Sequence, residues 1–147
     1  MPTTTRSREV AVPLDEVWRL VGDPYHLPRW WPRVARVEAV AGGKFTEVLQ
    51  GTRSGRAVRA DFRIEEKRKH EVLRFSQELE GSPFERVLRE AETQIAVAPT
   101  GTGTRVSLTL RQKLRGLSRL GGFMVRRATR KILDEALDGL EGALGTP

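Results

Sequence analysis

The sequence predicts an α+β fold in which a curved antiparallel sheet of about seven strands wraps around a long C-terminal helix, with two short helices after the first strand. Three observations carry this expectation. Residues 10–32 run through strand, helix, break and aromatic cluster with almost no linker. Several later segments alternate apolar and polar residues with the period of two that a half-buried strand requires. The chain then closes on Leu133, Ala136, Leu137, Leu140 and Leu144, whose spacing makes one apolar stripe on a helix.

In the opening series, Pro13 presets the backbone for a first helical turn, and Asp15 and Glu16 put negative charge near the positive end of the helix dipole. Leu14, Val17, Trp18 and Val21 recur at spacings of three and four, so this short helix has one apolar face. Gly22-Asp23-Pro24 stops it. Trp30-Trp31-Pro32 is costly to leave in water and cannot continue a helix, which predicts a corner of the domain shaping one end of a pocket.

Strands are then expected over 34–40 and 44–50, joined by Ala41-Gly42-Gly43, with a turn at 51–55. The clearest strand follows, where Val58, Ala60, Phe62 and Ile64 alternate with Arg59, Asp61, Arg63 and Glu65. After a charged turn at 67–70, Leu73, Phe75, Gln77 and Leu79 keep the pattern with one polar intruder. A strand over 84–98 has irregular alternation, which predicts a bulge near 88–90. Val106, Leu108, Leu110 and Gln112 mark the last strand, and the long helix is expected over about 117–144 with Ser118 as its cap. Hairpin-linked strands give an antiparallel sheet, and its twist lets it curl around the last helix.

At 147 residues, with 38% hydrophobic and 31% charged residues, the chain is expected to form one soluble domain over 1–147. No apolar run approaches the roughly 18 residues of a membrane span. The first residues lack an apolar segment of the signal-peptide kind, so a cytoplasmic location is expected. The absence of Cys removes disulfides and thiolate chemistry together. A net charge of +7 raises nucleic acid as a partner. The basic residues are dispersed among acids, with no aromatic-basic motif, so a nucleic-acid partner is not favoured.

Conventional catalytic constellations are missing from the pattern. Gly116-Leu-Ser118-Arg-Leu-Gly121 is one residue too long for a nucleophile elbow. His70-Glu71 lacks the second His of a zinc-protease helix, and Gly101 and Gly103 have no phosphate-loop Lys after them. His26 beside Tyr25 is either an acid/base at a pocket mouth or an exposed or capping residue. No catalytic residue, metal or cofactor is assigned.

Residues of this order resemble the helix-grip (SRPBCC) superfamily of START lipid-transfer domains, the birch-pollen allergen and polyketide cyclase/dehydrase proteins. The resemblance rests on Val10, Val12, Pro13, Val17, Trp18, Leu20, Val21 and Asp23, then Leu27, Trp30, Trp31, Pro32, Val34 and Val37, and on the 101–106 hairpin and closing helix. It implies a cavity between sheet and helix for a small hydrophobic, aromatic, polyketide-like or lipid-like molecule. Phe62, Phe75 and Leu108 are expected on the inner sheet face, with Trp30, Trp31, Phe45, Phe84 and Phe123 near its ends. Gln77, Thr93 and Gln112 share the inward phase and need partners there. Arg126, Thr129 and Arg130 project onto the face of Leu133, Leu137 and Leu140. Since that half of the helix covers the cavity opening in similar proteins, the two arginines are candidates to pair with a ligand carboxylate or enolate, or else to snorkel into solvent. Ligand binding is the expected function. A cyclase or dehydratase acting in the same cavity is the alternative, and a ribosome- or RNA-associated protein the third.

Overall fold

The computed structural model describes residues 3–50, 57–82, 84–116 and 119–145. Seven strands, β1 (Thr3–Val10), β2 (Val34–Ala41), β3 (Lys44–Leu49), β4 (Val58–Arg68), β5 (Val72–Glu78), β6 (Leu88–Pro99) and β7 (Thr104–Leu114), form one sheet. Its order is β1-β7-β6-β5-β4-β3-β2, and every neighbouring pair is antiparallel. Consecutive strands from β2 to β7 are therefore simple hairpin neighbours. Helix α1 (Leu14–Val21) and a 3₁₀ helix (Pro24–Arg29) connect β1 to β2, and helix α2 (Arg119–Ala143) ends the fold. This is the curved helix-grip arrangement that the periodicities predict.

Local chemistry accounts for the joints. Gly42 and Gly43 both have positive φ, 62° and 76°, which the two-residue turn between β2 and β3 requires and only glycine adopts without strain. Asp23 accepts a hydrogen bond from the Tyr25 N–H at 3.0 Å and so caps the 3₁₀ helix. The expected bulge exists, because the β6–β7 register shifts between Leu88 and Glu90. The strand itself starts later than the sequence suggests. Residues 84–87 form a turn in which the Val87 and Leu88 N–H groups both donate to the Phe84 carbonyl. The 51–55 turn and Ser118 lie outside the described residues.

The core gathers on the concave face. Val17 and Val21 of α1, Phe45, Ile95, Val106 and Leu108 of the sheet, and Leu133, Ala136, Leu137 and Leu140 of α2 are almost wholly buried in one cluster. Phe45 stacks on Phe62 at 5.2 Å, and Phe75 meets both edge-on at 5.1 and 5.4 Å, in the geometry that aromatic quadrupoles favour.

Two devices seat α2. Along β1, Arg6 and Arg8 lie opposite Leu108 and Val106 in the ladder and so share the inward face. Arg6 grips both carboxylate oxygens of Asp134 at 2.9 and 3.0 Å, and Arg8 reaches Asp138 at 2.5 Å and Glu141 at 3.1 Å. Such partly exposed pairs set the helix's orientation more than they add stability. The second device is Gly139, where a Cβ would stand 2.3 Å from the Trp30 carbonyl oxygen. Only glycine lets the helix backbone rest directly on the tryptophan corner.

Gly139→Ala should therefore destabilise the protein by roughly 1–3 kcal/mol, as overpacking against backbone does. Gly142→Ala, where an added Cβ meets nothing within 4 Å, should instead stabilise α2 by roughly 0.5–1 kcal/mol. Chemical denaturation of both variants checks this, and equal shifts would show that the Trp30 contact imposes no constraint.

Candidate ligand cavity

Between the sheet and α2 lies a cavity of about 750 Å³. Phe62 and Ala60 of β4 and Phe75 of β5 form part of its wall, with Leu49, Val58, Leu88, Leu110 and, from α2, Ile132. Trp31, Pro32 and Arg33 bound it beside the tryptophan corner, and Phe84 bounds it from the turn before β6. The polar groups on the wall are few. Gln77, Thr93, Gln112, Gln50 and Glu47 join Arg33 there. A mostly apolar hollow with a handful of placed polar groups is the usual composition of a small-molecule site.

Glu47 is the sharpest of these. It is 7% exposed, and burial pushes its pKa up to about 8. Near neutral pH the side chain is thus mostly the neutral acid, able to donate a hydrogen bond as well as accept one. Arg33, the other charged residue among the described lining residues, does not figure among the causes of that shift. Gln77 complements it, because its amide nitrogen is buried without a hydrogen-bond partner among the described residues. A buried N–H donor left unpaired costs about 1–3 kcal/mol, which a bound acceptor oxygen offsets. Gln112 is already engaged, since the buried Thr129 hydroxyl of α2 donates to its side-chain oxygen over a long 3.4 Å.

The sequence expectations divide along the helix. Trp31, Phe62, Phe75, Gln77, Phe84, Thr93 and Gln112 all line the cavity. Trp30, Leu108 and Leu133 sit behind it in the core, with the Trp30 ring edge-on to Trp31 at 5.4 Å. Phe123, Arg126 and Arg130 are exposed and outside the lining, which corrects their expected position. The reason is that α2 meets the sheet mainly along β1 and through its second half. Before Thr129 its periodicity continues, but Phe123, Met124, Arg126, Arg127 and Ala128 stand exposed. His26 lies outside the lining as well, with its imidazole 3.9 Å from Asp23.

Glu47 went unread in the sequence although a signal was present. It shares the inward phase of β3 with Phe45 and Leu49, and a carboxylate in that phase has to be buried or to break the strand. Leu49, Ala60 and Ile132 carry no polar mark, so nothing distinguishes them from ordinary core residues until the strands are assembled.

Three comparisons bear on this architecture. Residues 1–145 match the family described as polyketide cyclase / dehydrase and lipid transport. No curated protein matches the chain. Among solved structures, the protein XoxI from Bacillus cereus is 20% identical, with 99% of this chain and 97% of that one covered at a TM-score of 0.79. A START superfamily protein from Mycobacterium smegmatis is 15% identical over 97% of both chains, with a TM-score of 0.78. TTHA0849 from Thermus thermophilus is 25% identical over 97% of both chains, with a TM-score of 0.68. The first two likenesses concern the fold alone.

The raised pKa of Glu47 fixes a sign for stability. In the folded state the group holds its proton to higher pH than in the unfolded chain, so stability is fullest below about 4.5 and falls as pH rises towards about 8. Glu47→Gln should flatten this decline and stabilise the protein at alkaline pH, by roughly 1.4 kcal/mol for each unit separating folded and unfolded pKa values. Denaturant unfolding across that range measures it. A variant whose stability parallels the parent at every pH would show that Glu47 ionises freely.

Proposed function

Because this chain belongs to the polyketide cyclase / dehydrase and lipid transport family, we propose that it is a single ligand-binding domain holding one small, uncharged, largely hydrophobic molecule between the sheet and α2. The observation that carries the reading is the cavity itself. Its volume of about 750 Å³ falls within the roughly 300–1,000 Å³ typical of small-molecule sites, and its wall is mostly apolar. Phe62, Phe75, Trp31 and Phe84 supply flat aromatic surface, which suits a ring system or an acyl chain. Gln77 and the neutral form of Glu47 are both donors, so they favour a ligand bearing acceptor oxygens, such as a ketone or an ester, over a cation. Thr93 and Gln112 add polar contacts on the β6–β7 side.

Glu47 also favours a second reading, a cyclase or dehydratase working in the same cavity. A carboxyl group that keeps its proton near neutral pH is suited to protonate or polarise a carbonyl. Enclosure would hold a flexible substrate in a reactive conformation, which is where much of such a catalyst's rate advantage arises. In that reading Glu47→Gln abolishes turnover and leaves binding nearly intact.

Filling the hollow tests the shared premise. Ala91→Trp places an indole into the lining of the cavity. The parent protein should bind the neutral dye Nile red with a blue-shifted emission, and the variant should bind it at least roughly tenfold more weakly, a loss of only about 1.4 kcal/mol. Native mass spectrometry of the purified parent should show a small non-covalent adduct that the variant lacks. Equal dye binding by both proteins, with melting curves showing both folded, would place the apolar site elsewhere.

A further inference from the structure

We propose that the outward face of the first half of α2 docks this protein onto an anionic lipid surface. The sequence from Thr93 to Leu133 contains nine Arg and Lys residues and no Asp or Glu, although the whole chain has 19 acids. Five of the nine, Arg119, Arg126, Arg127, Arg130 and Lys131, fall in the first half of α2, with no acid in the sequence between them.

The contrast with the sheet is physical as well as compositional. On the sheet several cations are matched: Arg36 and Arg59 share Glu38, Arg63 binds Glu65, and Arg105 binds Glu9. On α2, Arg126, Arg127 and Lys131 are exposed and make no ion pair among the described residues. Arg130, beside them, adds to the positive field that holds the Asp134 carboxyl below its ordinary range, where the hydrogen bond from Arg6 is the leading cause.

The same face exposes large apolar side chains. Phe123 is 53% and Met124 63% exposed. At 100° per residue, Phe123, Arg127, Lys131 and Met124 fall within an arc of about 100°. Apolar side chains about one turn from unpaired cations are what an interfacial helix presents. The apolar groups enter the headgroup boundary while the cations hold the lipid phosphates. A nucleic acid would satisfy the charges but would leave Met124 without a use, so a lipid surface accounts for more of the pattern. Ile132 in the cavity wall and Thr129 bonded to Gln112 point to other sides of the helix, away from this face. Docking stands apart from the ligand reading, because vesicle binding is measured without any ligand.

Vesicle co-sedimentation tests it. The protein should bind phosphatidylcholine vesicles containing phosphatidylglycerol, bind pure phosphatidylcholine far less, and lose affinity as salt is raised. A cation near such a surface is worth roughly fivefold, so the Arg127→Gln/Arg130→Gln/Lys131→Gln variant should bind roughly a hundredfold more weakly. Phe123→Ser/Met124→Ser, which leaves net charge unchanged, should also lose affinity. A control that removes as many cations from the sheet, Arg36→Gln/Arg59→Gln/Arg63→Gln, should bind like the parent, and thermal melts confirm that every variant is folded. The proposal is overturned by absence of binding to the anionic vesicles at low salt. It is equally overturned by a control as weak as the helix variant, or by full binding of the serine variant. Tight binding to single-stranded poly(U) RNA without vesicle binding would replace it with a nucleic-acid partner.

Discussion

Everything distinctive in this molecule follows from where α2 is held. Its second half is clamped twice, by Arg6 and Arg8 of β1 reaching Asp134, Asp138 and Glu141, and by Gly139 resting on the Trp30 backbone. Leu133, Ala136, Leu137 and Leu140 fill the concave face between those clamps. The first half has no such clamp among the described residues: the α2 residue on the cavity wall is Ile132, near mid-helix, and Phe123, Met124, Arg126, Arg127 and Lys131 before it stand exposed. A helix buried over its full length would have given a solid core and a conventional surface. The grip at one end leaves the cationic face of the other end exposed.

The cavity's polarity is expensive, and the expense is informative. A carboxyl group in the interior phase of β3 cannot ionise without losing its hydration, so it keeps its proton, and the buried Gln77 amide nitrogen has no acceptor among the described residues. A protein needing only stability would place leucine or methionine in both positions, which interiors accept readily. Retaining two donors in an apolar hollow is the arrangement expected where a ligand supplies the missing acceptor. The long Thr129–Gln112 hydrogen bond shows a different solution, in which the helix itself satisfies part of an inward amide.

The elements were largely legible because their signals are local. Strict alternation from Val58 to Glu65 can bury only one face, and the closing leucines can form only a helical stripe. The irregular phase around residues 88–90 announced its bulge, although residues 84–87, placed in the strand by that pattern, turn instead on hydrogen bonds to the Phe84 carbonyl. The inward polar residues of β5, β6 and β7 were legible by the same logic, and Gln77, Thr93 and Gln112 do meet on the cavity wall. Glu47 had the same kind of signal in a shorter and less regular strand.

The sequence alone thus determined the order of elements, the antiparallel sheet, the buried face of each strand and the apolar stripe of the last helix. All of these depend on residues a few positions apart. Tertiary structure alone decided how far along α2 the sheet reaches, and with it which residues of one continuous helical face touch protein, cavity or solvent. Arg126 projects onto the stripe of Leu133 and Leu140 yet stands exposed, because a helical projection gives direction around an axis and says nothing of what lies opposite. That opposing surface belongs to strands distant in sequence, and only the assembled fold places it.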